Sequence, residues 1–367
     1  MVNHRKETRV RLLCTADLHL GRSIPLPDTV SQEAHGPARA WRLICDIAVD
    51  ERVDGLLIAG DAIDSAKSYA EGMATFRHGL RRLQAAGIPV ILTAGNHDWN
   101  LLPEAAMGFP GVRPLGLAGR WETHQLGAIT IAGWSFPGRH HRESPMQGFP
   151  NNIGGRTVGL LHCDLSGGDS PYAPVQVGNL EALPLDRWVL GHMHVPMESG
   201  KVFYPGSPVG LNSGETGPRS VVMLDTDGMT IRRIPLPVLE WKMVTITEAE
   251  LIEPEESIAS LVERVLDAEA GSVLTGFRVL FRGRTRRSRD FGKAAVALDN
   301  ACYSGFFIHQ AINDTKPWLD IGEVARGRRM SSLLAREILQ MEPESTEYSV
   351  GLELLEELLE QERVVED

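Results

Sequence analysis

The chain has 367 residues, of which 43% are hydrophobic and 23% charged, and its formal net charge is -11. This size and balance predict a globular protein with ample buried core, built as two packed units or as one large unit with an appendage. They exclude a short peptide module and a disordered chain. The net charge excludes a protein that is basic overall, although local basic patches remain compatible with it.

The first ten residues carry charges throughout, and no stretch approaches the roughly 20 apolar residues that a membrane-spanning helix needs. We therefore expect a cytoplasmic protein that does not enter a membrane. The four cysteines, Cys14, Cys45, Cys163 and Cys302, are widely scattered. Because they form neither a C-x-x-C pair nor a disulfide framework, we expect reduced, buried thiols.

Short β-rich apolar runs alternate with helical patterns from the start of the chain to about residue 233. The predicted strands are 10–15, 55–59, 90–93, 129–134, 157–161, 188–190, 202–204 and 221–224. Predicted helices at 37–51 and 70–86 separate the first three strands. This order predicts an α/β core with a largely buried sheet system.

A second region begins near Pro235 and predicts a small β-α-β-α-β domain. Its strands are expected at 242–246, 277–282 and 306–311, with one helix near 258–266 and another at 289–301. Two acidic-flanked helices, at 331–339 and 349–364, close the chain, and most of the acidic excess lies in this tail. We expect three parts, at residues 1–235, 236–325 and 326–367.

Polar clusters follow five of the predicted strands. Each cluster alone is weak, because aspartate two residues before histidine often occurs by chance as a polar pair in a turn. In an open α/β sheet, however, sites form beyond the carboxyl ends of the strands, so these clusters are expected to converge. The five clusters are Asp17-x-His19, Gly60-Asp61-x-x-Asp64, Gly95-Asn96-His97-Asp98, His162 and Gly191-His192-x-His194.

The clusters offer seven oxygen and nitrogen donors without a thiolate: Asp17, His19, Asp61, Asn96, His162, His192 and His194. Seven donors are too many for one tetrahedral zinc ion. They suit two divalent cations that share a carboxylate, as in enzymes that displace phosphoryl groups. His97 is left available for proton transfer. Glycines at 60, 95 and 191 are expected to let the backbone approach an ion or a phosphate.

In this order and spacing, the five clusters resemble the calcineurin-like metallophosphoesterase family. That resemblance implies a metallophosphoesterase β-sandwich core flanked by helices, with a small α+β capping domain. It also implies that one cation is held by Asp17, His19, Asp61 and His194, and the other by Asp61, Asn96, His162 and His192. His97, oriented by Asp98, is implied as the acid that protonates the leaving oxygen or steadies the phosphate. The implied ions are most often manganese.

Longer features resemble the SbcD-like DNA repair exonucleases, and most closely their YhaO-like branch. They are the opening 15–21, the Pro171-Tyr172-Ala173-Pro174 stretch, and Tyr204-Pro205-Gly206-Ser207-Pro208 leading to Glu215-Thr216-Gly217-Pro218. The resemblance covers about residues 9–245. It implies 3′ to 5′ digestion of duplex DNA ends, nicking of single strands, a homodimer and an SMC-like coiled-coil ATPase partner. One departure is Asp64, where archaeal and eukaryotic relatives often have histidine, although the bacterial branch commonly has aspartate.

An arginine-rich strand is the predicted DNA contact, through Arg278, Arg282, Arg284, Arg286 and Arg287. The first three alternate with apolar residues, so one face of the strand would present cations to phosphates. A solvated strand edge that is kept basic against aggregation explains the pattern equally well.

The final helix carries leucines at 352, 355 and 359, beside 354 and 358, with glutamates opposite. Two interpretations remain open: docking on a partner, and packing against its own domain. For the chain as a whole, the alternatives to a DNA nuclease are a small-molecule or lipid-headgroup phosphodiesterase with the same site, and a scaffold subunit. A scaffold would be expected to have lost ligands, and none is missing.

Overall fold

The structure is a computed structural model that describes residues 9–64, 69–150, 153, 155–165, 167–253, 255–343 and 345–364. Within these ranges the predicted alternation of strands and helices is present. The strands are β1 (Arg11–Thr15), β2 (Gly55–Ala59), β3 (Val90–Thr93), β4 (Val112–Pro114), β5 (Trp121–Leu126), β6 (Ile129–Trp134), β7 (Thr157–His162), β8 (Arg187–Gly191), β9 (Met197–Ser199), β10 (Val202–Tyr204), β11 (Ser220–Asp225), β12 (Thr230–Pro235), β13 (Glu240–Ile246), β14 (Thr275–Thr285) and β15 (Phe306–Pro317). The helices are α1 (Gln32–His35), α2 (Pro37–Asp50), α3 (Tyr69–Ala85), α4 (Leu102–Ala106), α5 (Val177–Glu181), α6 (Ile258–Glu269), α7 (Ser288–Leu298), α8 (Ile321–Ala325), α9 (Met330–Ile338) and α10 (Thr346–Val364).

Two six-stranded sheets pack face to face in the first part of the chain. One has the order β12-β11-β1-β2-β3-β4, and the other has the order β5-β6-β7-β8-β10-β9. Strands β1 to β4 are parallel, as are β6, β7, β8 and β10. The carboxyl ends of parallel strands lie at the same edge of their sheet, so each sheet presents its strand ends together. The structure confirms the predicted β-sandwich core flanked by helices.

Apolar side chains fill both the space between the sheets and the outer faces. Leu57 and Ile91 of the first sheet pack with Leu160 and Val189 of the second, and all four are buried. Helices α2 and α3 cover the outer face of the first sheet, where the rings of Trp41 and Phe76 lie 5.3 Å apart. Because the central strands are buried on both faces, their sequences are continuous apolar runs rather than alternating patterns.

Four strands, β4, β5, β9 and β12, were not predicted from the sequence. All four lie at the edge of a sheet. β5 reads Trp-Glu-Thr-His-Gln-Leu, and β9 is exposed along its whole length, so neither has the apolar signal of a buried strand. His124 lies within β5. These strands form because a neighbouring strand offers backbone hydrogen bonds, which the local sequence does not show.

The second region contains the expected β-α-β-α-β order. Strands β13, β14 and β15 form one parallel sheet, and α6 and α7 cover one of its faces around buried Phe277, Phe281 and Phe291. This region is joined firmly to the sandwich. The Trp241 indole Nε1 donates a hydrogen bond to the Gly210 carbonyl at 3.0 Å, and its ring packs against Phe307. The apolar core is therefore continuous across the boundary that we expected at residue 235.

Helix α10 packs against its own chain. Leu355 is fully buried with Ala335 and Ile338 of α9. The Glu356 carboxylate forms ion pairs with Arg284 of β14 and with Lys316 of β15. Of the two interpretations of the leucine stripe, this arrangement agrees with packing of the helix against its own domain. Leu354 nevertheless remains 48% exposed on the other side of the helix. None of the helices within the described ranges has both the length and the apolar character that crossing a membrane requires.

Leu355→Ala should release α10, because it removes a fully buried side chain from a small apolar cluster. We expect a loss of about 2 kcal/mol from this local packing, which corresponds to roughly 30-fold faster amide exchange in α9 and α10. Hydrogen exchange followed by mass spectrometry measures it. The matched control is Leu354→Ala, where the side chain is half exposed and exchange should stay at the wild-type rate. Equal exchange in the two variants would contradict the packing described for α10.

Candidate metal centre

The predicted donor residues stand at the carboxyl ends of five parallel strands, in both sheets of the sandwich. Asp17 follows β1, Asp61 follows β2, and Asn96 follows β3. His162 is the last residue of β7, and His192 comes directly after β8. The ends of the two sheets meet here, so residues that are up to 175 positions apart become neighbours.

Three of the predicted ligands, Asp17, His19 and His194, form one compact group. Their donor atoms all lie within 4.8 Å of one another. The Nε2 atoms of His19 and His194 are 3.3 Å apart and face each other. Two imidazole nitrogens in this arrangement are suited to binding a common cation, because each can direct a lone pair towards the same point.

A second group contains Asp17, Asp61 and His162, with the same limit of 4.8 Å between donor atoms. The Nε2 atom of His162 lies 3.4 Å from Asp61 Oδ2 and 3.1 Å from Asn96 Oδ1. The same Asp61 oxygen is 3.8 Å from Nε2 of His19. Asp61 therefore stands between the two sets of donors, which is the place expected of a shared carboxylate.

His192 is placed differently from the other predicted ligands. Its ring lies beside those of His162 and Tyr172, with centroids 5.4 Å and 4.9 Å away, and it is outside the compact groups of donor atoms. Its backbone amide donates to both carboxylate oxygens of Asp17 at 3.1 Å. Burial lowers the pKa of His192 to about 4, so the imidazole is neutral and keeps a free lone pair at neutral pH.

Several donor residues have left-handed backbone conformations. The φ angles are +51° at Asp17, +43° at His19, +49° at Asp61 and +102° at His192. Such conformations cost non-glycine residues on the order of 1 kcal/mol or more each, and they persist where the surrounding structure imposes them. The turns after β1, β2 and β8 are therefore strained in a way that directs their side chains into the crevice.

The glycines beside the donors pack tightly against other side chains of the site. A Cβ atom on Gly95 would lie 2.1 Å from Oδ1 of Asp61, and one on Gly60 would lie 2.4 Å from Nδ1 of His162. These glycines make room for the neighbouring donor side chains. That they also let the backbone approach an ion or a phosphate stays a prediction.

The electrostatics of the group favour cations. Burial raises the pKa of Asp17. Burial also opposes ionisation of Asp61, but the nearby imidazoles of His162, His19 and His97 outweigh it and leave the pKa of Asp61 lowered. Buried carboxylates are costly unless a positive partner compensates them. A set of oxygen and imidazole donors without a thiolate suits divalent first-row cations, so the residues present fit a pair of such ions.

His97 contacts a different carboxylate from the one predicted. We expected Asp98 to orient it, but the Asp98 carboxylate accepts hydrogen bonds from the backbone amides of Ala62 at 2.7 Å and Gly95 at 2.8 Å. Burial raises the pKa of Asp98, and the Asp61 charge adds to that effect. Asp98 therefore holds the loops after β2 and β3 together. Because its two carboxylate oxygens accept from these amides, the side chain is directed away from the adjacent His97 imidazole.

The carboxylate that faces His97 is Asp64. Its Oδ1 lies 3.6 Å from Nδ1 of His97, and its Oδ2 lies 3.3 Å from Nδ1 of His19. The contact with the Asp64 carboxylate is the main cause that raises the pKa of His97. Asp64 is thus a functional candidate that the predicted site omitted, although its place three residues after Asp61 in the G-D-x-x-D motif was a signal.

The arginine-rich strand is not at an edge, because β14 lies between β13 and β15. The alternative of an edge kept basic against aggregation is therefore wrong. The predicted alternation is correct, since Phe277, Val279 and Phe281 are buried under α6 and α7.

Most of the predicted DNA-contacting arginines contact other residues of the chain. Arg282 pairs with Asp314, and Arg284 pairs with Glu356 of α10. The Arg286 guanidinium lies 6.0 Å from the ring centre of Trp318, and Arg287 donates to the Glu256 carbonyl. Arg278 is only partly exposed. Of the two arginines paired with carboxylates on this face, Arg282 has the more exposed side chain, at 61% against 22% for Arg284.

Comparison with known proteins identifies the family. The model of the calcineurin-like phosphoesterase family matches residues 10–196, which is about half of the chain. The uncharacterized metallophosphoesterase YhaO of Bacillus subtilis is 28% identical over 236 residues, or 59% of this chain and 57% of YhaO. The DNA double-strand break repair protein Mre11 of Methanosarcina mazei is 27% identical over 73% of this chain and 45% of that protein. The SbcD component of the nuclease SbcCD of Bacillus subtilis is 25% identical over 64% of this chain and 72% of that component.

The matched part thus spans about half the length of the first two of these relatives. The family match covers the strands that carry the predicted donor side chains, from Asp17 after β1 to His194 after β8. The chain belongs to the calcineurin-like phosphoesterase family.

Proposed function

We propose that this protein is a metal-dependent DNA phosphodiesterase, with 3′ to 5′ exonuclease activity and nicking of single strands. The observation that carries the proposal is the convergence of Asp17, His19, Asp61, His162 and His194 at one edge of the sandwich. DNA as the substrate is supported by the names of the relatives, which include a component of a nuclease and DNA double-strand break repair proteins.

Different residues are proposed to bind the cations and to donate the proton. Bound divalent cations, for which manganese is our proposal, would stabilise the charge that develops on the attacking and leaving oxygens. Asp17, His19, Asp61 and His194 are proposed to hold one position, and Asp61, Asn96, His162 and His192 the other. His97 is 30% exposed, so its imidazole reaches the open side of the site. With its pKa raised by Asp64, it is suited to donate a proton to the departing oxygen.

The DNA backbone is proposed to pass the open face of the three-stranded sheet. The register places Arg278 beside Met243 and Gln310, and it places Arg282 beside Asp314, all on the face opposite to α6 and α7. Arg284, Arg286 and Arg287 extend this positive surface, although Arg284 is shared with Glu356. Phosphate contacts of this kind carry no sequence preference and weaken with salt.

An SMC-like coiled-coil ATPase partner and a homodimer are further proposals. The side of α10 that does not contact α9 carries exposed Val350 and Leu354. Leu333 of α9 and Leu339, which directly follows α9, are exposed as well. An apolar helical surface of this kind is suited to bind another helix. We also retain the division into a nuclease part at 1–235, a capping part at 236–325 and C-terminal helices at 326–367.

Asp61→Asn should lower the hydrolysis of end-labelled duplex DNA at least about a hundredfold in the presence of Mn²⁺, because it removes a charge from the carboxylate shared by both positions. Product release is measured on gels, beside a chromogenic phosphodiester. The control is Asp169→Asn, whose side chain is 94% exposed and pairs with Arg142, and it should retain wild-type rates. Hydrolysis of the chromogenic diester without DNA cleavage would favour the small-molecule alternative, and a wild-type protein that binds no metal would favour the scaffold.

Asp64→Asn should shift the alkaline limb of the kcat profile to lower pH. The Asp64 carboxylate raises the pKa of His97, so its loss lowers that pKa, and the imidazole gives up its proton at a lower pH. The rate would then fall earlier as pH rises, if His97 acts as the acid. Asp64 also contacts His19, a proposed metal ligand, so its loss is expected to lower metal affinity as well. Assays at saturating Mn²⁺ compensate for that second effect. An alkaline limb that stays at the wild-type pH would refute this role for His97.

Arg282→Ala should weaken DNA binding and reduce the slope of log Kd against log salt by about one, as expected for one lost phosphate contact. Fluorescence anisotropy across a salt series measures the slope. The matched control is Arg264→Ala on α6, since that arginine also pairs with a carboxylate but lies on the covered side of the sheet. If both variants kept the wild-type slope, the proposed DNA path would be wrong.

A further inference from the structure

The segment 205–219, which follows β10, contains an acidic residue that is buried beside the metal site. Glu215 is only 7% exposed and lies in the Glu-Thr-Gly-Pro motif, to which the proposed chemistry assigns no role. A buried carboxylate is costly unless its oxygens are satisfied by hydrogen bonds. The partners of Glu215 therefore indicate what holds it there.

Three of the four partners of the Glu215 carboxylate are donors, and the fourth is an imidazole nitrogen. Oε2 accepts hydrogen bonds from the Ser207 hydroxyl at 3.1 Å and from the Leu211 backbone amide at 3.0 Å. Oε1 accepts from the Asn212 amide at 2.7 Å and lies 2.9 Å from Nδ1 of His194. An ionised carboxylate matches this surrounding, because it can accept at both oxygens and donates at neither.

The contact with Glu215 sets the tautomer of His194. When Nδ1 carries the proton and donates it to Glu215, the lone pair is on Nε2. That atom faces Nε2 of His19 at 3.3 Å, which is the centre of the first donor group. The imidazole is thus held with its coordinating nitrogen towards the proposed cation.

The same segment also holds the backbone of residue 194. Arg219, which is 2% exposed, donates from its guanidinium to the His194 carbonyl at 2.6 Å, and it also hydrogen bonds to the Glu215 carbonyl. The other side of the segment is fixed by Trp241, which donates to the Gly210 carbonyl. Both the backbone and the side chain of His194 are therefore fixed by one polar network.

We propose that Glu215 is the positioning residue of the ligand His194 and so controls the affinity of one of the two cation positions. The inference rests on the proposed two-cation site, but not on DNA being the substrate. Two other histidines of the compact groups have different supports. His162 donates from Nδ1 to the Ala59 carbonyl at 3.0 Å, and His19 faces Asp64. Loss of Glu215 should therefore weaken the position that His194 serves and leave the position of His162 and Asn96 intact.

Calorimetric titration of the full, metal-stripped chain with Mn²⁺ tests this proposal without any substrate. The wild type should bind two ions. Glu215→Ala should bind one ion with wild-type affinity and the other roughly 10- to 100-fold more weakly. Electron paramagnetic resonance gives a second readout. The spectrum of a coupled pair should be replaced, at the same ratio of metal to protein, by the signal of isolated Mn²⁺.

Two further variants separate positioning from a purely structural role. Asn212→Ala removes the other hydrogen bond to the same Glu215 oxygen but leaves the contact with His194, so it should keep both affinities. Glu215→Gln keeps the shape of the side chain, so it serves as the test variant if Glu215→Ala does not fold. One of its terminal atoms is an amide nitrogen that cannot accept, so we expect a loss of about tenfold at one position.

The outcomes are distinct. If the folded Glu215→Gln or Glu215→Ala protein binds both ions as the wild type does, the proposal is wrong. Equal weakening of both ions, or the same loss in Asn212→Ala, would also overturn it, because either result would indicate a general effect of the segment. A wild type that binds no Mn²⁺ would instead contradict the two-cation function itself.

Discussion

Two carboxylates, Asp17 and Asp61, are buried where the strands of both sheets end, and their charge is the constraint that organises this part of the molecule. In water each would be well solvated, but here only imidazoles, backbone amides and the proposed cations can compensate for the lost solvation. The His192 amide donates to Asp17 and the His97 amide donates to Asp61. The loops after β3 and β8 are thus held by the same charges that would bind the ions.

Much of this arrangement could be predicted from the sequence, because its signals are local. The apolar runs of β1, β2, β3, β7 and β8 each end in a polar cluster, and the carboxyl ends of parallel strands lie together. The order of clusters then indicated the family that the comparison confirmed. Edge strands such as β5 escaped prediction because pairing with a neighbour, rather than their own apolar pattern, makes them strands.

The partners within the site could not be predicted from local signals. Asp98 adjoins His97 in sequence, yet Asp64 faces it, since the Asp98 carboxylate is directed to the amides of two loops. The contact of Glu215 with His194 joins residues from separate turns. Likewise, Glu356 reaches Arg284 across 72 positions, so part of the positive charge of β14 is neutralised by the acidic tail. Such pairings depend on tertiary packing, which no spacing rule in the sequence encodes.

The left-handed turns at Asp17 and Asp61 imply a trade-off between stability and activity. Residues that adopt this backbone easily, such as glycine and asparagine, would relieve strain there, and asparagine would also remove a buried like charge. Substitutions that destroy catalysis at these positions are therefore compatible with a well-folded or even more robust metal-free protein. Durability of the fold and cation binding therefore make opposite demands on the residues at these two positions.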